Sequence, residues 1–186
     1  MEESGQPTSA SAESAGNEID ELFINMMVPH HQGAVEMAKI ALERSQRPEI
    51  QSMARAIVDT QEKEITQMKD WKQTWYGSSD TPDMSAMPSL SEMPGMGGMG
   101  HSMDMQADVD ALKNAAEPFD LAFIDAMIPH HQSAIDAARI VLESDGHPEI
   151  RELAQQVIDA QQKEIDQMQT WRKTWFPDAP TLQPKE

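Results

Sequence analysis

Residues 118–176 repeat residues 18–76 at a constant offset of 100 and without gaps, and close to half of the positions are identical. A repeated unit folds the same way twice, and each copy must bury its apolar face on itself or on its twin. The most concentrated block of identity is Met27-Val28-Pro29-His30-His31-Gln32, which returns as Met127-Ile128-Pro129-His130-His131-Gln132. Four of the six histidines of the chain lie in these two blocks.

From about residue 18 to 45 the apolar residues follow helical spacing. One seam reads Phe23, Met27, His30, Ala34, Met37, Ala41, and its neighbour reads Ile24, Val28, His31, Val35, Ala38, Leu42. Steps of three and four place each seam on one helix face, and each seam carries one histidine. Asn17 and Asp20 fit a helix start, with a cap and an acidic third position. Pro29 falls inside this helix, where it removes a backbone donor and should kink the turn before the histidines. Residues 46–48 break the period, and Pro48 suits the first position of a second helix running to about Tyr76. Its seam reads Ile50, Ala54, Ile57, Gln61, Glu64, Met68, Trp71, Trp75.

So short a turn makes the two helices antiparallel neighbours. Equal rise per residue then sets His30 and His31 level with the stretch around Glu62. The core-facing residues at that depth are Gln61 and Glu64, and Met27 lies about a turn away towards Met68. The second copy repeats the layer with Met127, His130, His131, Gln161, Glu164 and Met168. Two such amphipathic hairpins predict an all-α fold, a four-helix bundle with a pseudo-twofold relation between the hairpins.

The remaining segments carry less pattern. Residues 1–17 are small and polar and read as a disordered start, and residues 177–186, with three prolines, as a tail. Residues 77–117 form the connection. Its first part is rich in Gly, Ser, Pro and Met, and its end, Gln106 to Ala116, fits a short helix. Within it Met96, Met99, His101, Met103 and Met105 place four thioethers and an imidazole within ten residues.

The formal net charge is −18, from 32 acidic and 14 basic residues, so phosphate-bearing partners such as nucleic acid are repelled. No run is long enough to span a bilayer, which argues against membrane insertion. The chain lacks cysteine, which removes disulfides, thiolate zinc sites and thiol catalysis. In an oxidising compartment, thioether and imidazole take over as the soft ligands. No hydrophobic targeting segment opens the chain, so it reads as cytoplasmic or as a mature exported protein.

Thioether sulfur with imidazole nitrogen is a ligand set for Cu(I), with Cu(II) drawing on nitrogen and oxygen donors. Met27 shares a face with His31 at i,i+4 and reaches His30 at i,i+3. Gln61 and Glu64 would bind directly, or hold an imidazole through its other nitrogen. The plainer account has the same residues as core: a buried His beside a Glu is a satisfied hydrogen-bonded pair, and a Met at helical spacing is packing. The four Trp, in matched i,i+4 pairs, read as packing at the ends of the bundle.

The Met-x-Pro-His-His-Gln block, followed by Ala34, Ala38 and the Gln-x-x-Glu-Ile-x-x-Met helix, resembles the bacterial "domain of unknown function 305" family. Two copies flanking a Met-rich connection resemble the periplasmic CopM-type copper-binding proteins. The resemblance covers most of residues 18–76 and 118–176. It implies a ferritin-like helical bundle, an extracytoplasmic location and copper binding linked to copper tolerance. Residue by residue it points to Met27, His30, His31, Met127, His130 and His131. The Glu-x-x-His pairs of di-iron bundles are absent from the sequence. The expectation is therefore a non-enzymatic copper protein that sequesters or transfers Cu(I), also takes Cu(II) and Ag(I), and hands copper to another copper-handling protein. A metal-dependent oxidase and a helical interaction module with structural His–Glu pairs remain the alternatives.

Overall fold

The computed structural model describes residues 9–85 and 105–182, with the backbone alone for residues 9–17. Five helices follow in order: α1 (Ser9–Arg44), α2 (Pro48–Tyr76), α3 (Met105–Lys113), α4 (Phe119–Leu142) and α5 (Pro148–Trp175). The described residues contain no strand, so the chain is an all-α helical bundle. Pro48 and Pro148 open α2 and α5, each behind an extended residue, Arg47 or His147. Proline is favoured at that position because its missing N–H has no partner in a first turn. Gly77 ends α2 in the left-handed region at φ 78° and gives its N–H to the Gln73 carbonyl, a closure that a side chain would disfavour.

α1 packs along α2, α4 packs along α5, α1 crosses α4, and α3 lies on α1. The apolar residues show the direction of the crossing. Phe23, Ile24 and Met27, ahead of the histidines in α1, share a cluster with Ala134, Ala138 and Val141, beyond the histidines in α4. Ala34, Met37 and Ala41, late in α1, share another with Phe119, Phe123 and Met127, early in α4. The two histidine-bearing helices are therefore antiparallel and meet near their middles, where the histidines are.

Two local expectations change. α1 starts at Ser9, so residues 9–17 are helical rather than a disordered lead. Asn17 and Asp20 consequently lie inside the helix and do not cap it. Asp20 is fully buried, and its carboxylate takes the backbone N–H of His147, the residue at the start of α5, at 2.6 Å. It thus serves the positive end of a helix in the other repeat. Pro29 and Pro129 stand inside α1 and α4, and both helices run on through them.

Candidate metal centre

Pairing within each hairpin brings one histidine to one carboxylate. His31 Nε2 lies 2.7 Å from Glu64 Oε2, and His131 Nε2 lies 2.6 Å from Glu164 Oε2. A carboxylate accepts, so each imidazole donates from Nε2, and the neutral ring then carries its lone pair on Nδ1. Pairing between hairpins brings together the other two. The rings of His30 and His130 lie 3.9 Å apart between centroids, tilted by 44°.

Ser133 sets the orientation of His30. Its hydroxyl donates to the His130 carbonyl at 2.7 Å and lies 2.9 Å from His30 Nε2. With its one proton used, Ser133 accepts from His30 Nε2–H, which again leaves the lone pair on Nδ1. Nδ1 of His30, His31 and His131 is buried and finds no hydrogen-bond partner among the described residues. Burial holds the His30 pKa well below the usual imidazole value, with the neighbouring imidazoles of His31 and His131 pushing the same way and the His130 backbone opposing them. His30 is therefore a neutral donor at physiological pH.

The layer continues to the outer helices. Gln61 and Gln161 are buried, and the Oε1 atom of each is without a partner. With Glu64 and Glu164 they line a crevice of about 10 Å³ between α2 and α5, the space of one water molecule or ion. Met27, Met68, Met127 and Met168 are fully buried. Met27 and Met68 share one apolar cluster, and Met127 and Met168 share another. Among the described residues no three imidazole or carboxylate groups stand as a ready-made metal cage. The donors of this layer are imidazole nitrogens, with buried thioethers in the apolar clusters beside it, a set suited to soft, low-coordinate ions.

Met96, Met99, His101 and Met103 lie outside the described residues. Met105 was grouped with them as a ligand on flexible chain, and here the structure differs. Met105 is buried at the start of α3, because Met105, Val109 and Leu112 recur at helical spacing and cover α1. Its side chain and His130 both reach the space above Gly33. Gly33 and Ser133 occupy equivalent positions of the two repeats, and sequence reading passed over both. The signal was the mismatch itself, serine against glycine between the matched Pro-His-His-Gln run and the matched Ala34 and Ala134.

A second cross-repeat contact was also missed. His147 gives a 2.7 Å contact from Nδ1 to Asp20 and stacks on Trp75 with centroids 3.8 Å apart. At the equivalent place Arg47 pairs with Asp120 at 3.0 Å and covers the Trp175 ring. The retained pair Asp20 and Asp120 was the available sign.

The model of the family described as "Domain of unknown function (DUF305)" matches residues 20–176. The chain belongs to the DUF305 family. Solved relatives share the fold at close range. CopM in its Cu(I)-bound form is 38% identical with a TM-score of 0.67, covering 84% of this chain and 97% of that one. CopM in its Cu(II)-bound form is 39% identical with a TM-score of 0.69, with the same coverage. A DUF305 fragment from Deinococcus radiodurans is 29% identical with a TM-score of 0.64, covering 83% of this chain and 95% of that one. A curated relative, the uncharacterized protein L153 of Acanthamoeba polyphaga mimivirus, is 37% identical over 60 residues. That match spans 40% of the viral protein and 32% of this DUF305 chain.

Proposed function

We propose that this protein binds copper at the imidazole layer between its two repeats, takes Cu(I) in preference to Cu(II), accepts Ag(I), and sequesters or passes on the ion without catalysing a reaction. The observation that carries this reading is the set of three buried Nδ1 atoms, on His30, His31 and His131, that no group among the described residues satisfies. A layer built only for packing would pair such atoms, since buried polar groups are normally hydrogen-bonded. Glu64, Glu164 and Ser133 each occupy the opposite ring nitrogen, which fixes the tautomer and turns the lone pair inward. Met27, Met127, Met68 and Met168 would supply buried thioethers about a turn from the layer, and Met96, Met99, His101 and Met103 would supply more from the connection.

The crevice between α2 and α5 has the space of one ion, which suits a bound ion beside Glu64 and Glu164. The similarity to CopM in its Cu(I), Cu(II) and silver forms points the same way. An extracytoplasmic, periplasmic location suits a cysteine-free soft-metal protein, and no described helix is long and apolar enough to cross a membrane. A second copper-handling protein would receive the ion.

The test is anaerobic Cu(I) titration against a chromophoric chelator. The wild type should compete for Cu(I), and the variant carrying His30→Ala, His31→Ala, His130→Ala and His131→Ala should lose the bundle's share. Equal competition by both proteins would remove the imidazole layer from the reading.

A further inference from the structure

The histidine layer is buried, so an ion needs a way in. One groove, about 560 Å³, runs past Glu62, Lys63, Asp70 and Trp71. All of its lining residues lie on α2, and neither Glu64 nor a methionine is among them. Another groove, about 500 Å³, lies between the first half of α2 and the second half of α5, and is lined by Glu49, Met53, Glu164 and Trp171 among others. Glu164 also lines the crevice of about 10 Å³ that it shares with Glu64, Gln61 and Gln161. Its Oε2 atom lies 2.6 Å from His131 Nε2. A single side chain therefore borders the open groove, borders the closed crevice and touches the histidine layer.

We propose that the groove between α2 and α5 is the route by which a soft ion enters and leaves the histidine layer, with Glu164 as the residue that passes it inward. The proposal rests on the copper-binding reading above and deepens it by giving that site its access. Glu49, in the first turn of α2, is exposed, and Met53, one turn further on, is buried. Carboxylates in a cleft draw cations towards it, and a thioether gives Cu(I) or Ag(I) a soft group to meet there. The two repeats differ in ways that favour this side. The Glu164 side chain is 21% exposed against 11% for Glu64, and the counterpart of Met53 is Leu153, which has no sulfur. An ion drawn onto the Glu164 carboxylate stands next to the imidazole that this carboxylate orients.

The chain has no cysteine, so one introduced thiol can carry a bulky maleimide into either groove of the full-length protein. Ser52 and Thr66 are both exposed. Ser52→Cys puts the label in the proposed route, and Thr66→Cys puts it in the groove along α2. In stopped-flow transfer of Cu(I) from a weak chromophoric chelator, the label at position 52 should slow uptake about tenfold or more, within the range over which association rates vary among variants of one site. The same label at position 66 should leave the rate unchanged, and both proteins should reach the wild-type equilibrium. Glu164→Gln keeps an acceptor oxygen for His131 and removes the charge, so its uptake should slow and lose part of its salt dependence. Uptake at the wild-type rate with the label at position 52, or equal slowing by both labels, overturns the route and leaves the imidazole layer standing. A Glu164→Gln protein with the wild-type rate and salt dependence takes Glu164 out of it. A wild type that takes up no Cu(I) overturns both the route and the copper reading.

Discussion

His30 and His130 face each other at 3.9 Å between ring centroids, so the same residue of both repeats meets at the crossing of α1 and α4. The contact makes the histidine layer one shared feature of the two hairpins. Each hairpin alone would present one His–Glu pair and one histidine with no partner across from it.

Removing one member of a His–Glu pair should cost more in the first repeat than in the second. The Glu64 side chain is 11% exposed and the Glu164 side chain 21%. His31→Ala leaves a carboxylate nearly buried and unpartnered, a cost of about 1–3 kcal/mol. His131→Ala leaves one that water reaches more easily. Thermal denaturation of the metal-free variants should rank His31→Ala below His131→Ala, and the reverse order would contradict the burial.

The metal-free protein should lose stability as pH falls below about 6.5. Burial depresses the folded-state pKa of His30, while the unfolded chain titrates near 6.5. Between those values the unfolded state binds more protons, so unfolding is favoured as pH drops. The contribution is complete above pH 6.5 and shrinks by about 1.4 kcal/mol per pH unit below it, until the folded-state pKa is reached. Denaturant midpoints measured from pH 8 to pH 5 should fall for the wild type, and the fall should be shallower for His30→Phe.

Asp20 and Gly146 should act as one unit. A Cβ on Gly146 would collide with the Asp20 carboxylate, and that carboxylate is held by two contacts to His147. Gly146→Ala must displace it. Either Gly146→Ala or Asp20→Asn should destabilise by about 1–3 kcal/mol, and the double variant by much less than the sum. Additive losses in urea unfolding would show that the two residues are not coupled.

Copper should raise the melting temperature, and a chelator should return it to the metal-free value. Ligand that binds only the folded state adds about 2.7 kcal/mol when free ligand is a hundredfold above Kd. The increment should diminish at acid pH, where protons compete for the imidazoles, and scanning calorimetry with and without chelator measures it.

Much of this layout was legible in the chain. The turns before Pro48 and Pro148 and the steps of three and four fixed the hairpins. Counting residues back from the first turn set His31 level with Glu62 and gave Gln61 and Glu64 as the core-facing residues at that depth, and in the fold Glu64 is the one that reaches His31. Such inferences work because rise per residue and helical period are local properties. The helical start at Ser9 was obscured because a small, polar stretch has no apolar period to read.

Sequence by itself determined the helices, the hairpin pairing and the depth of the polar layer. Tertiary structure alone decided that His30 meets His130, that Ser133 orients His30 from 103 residues away, that Asp20 reaches His147 across 127 residues, and that Met105 fills the space Gly33 leaves. The reason is physical: spacing within a helix says which face a residue occupies. Where two helices cross, and what enters the gap, depends on how side chains of different sizes pack together.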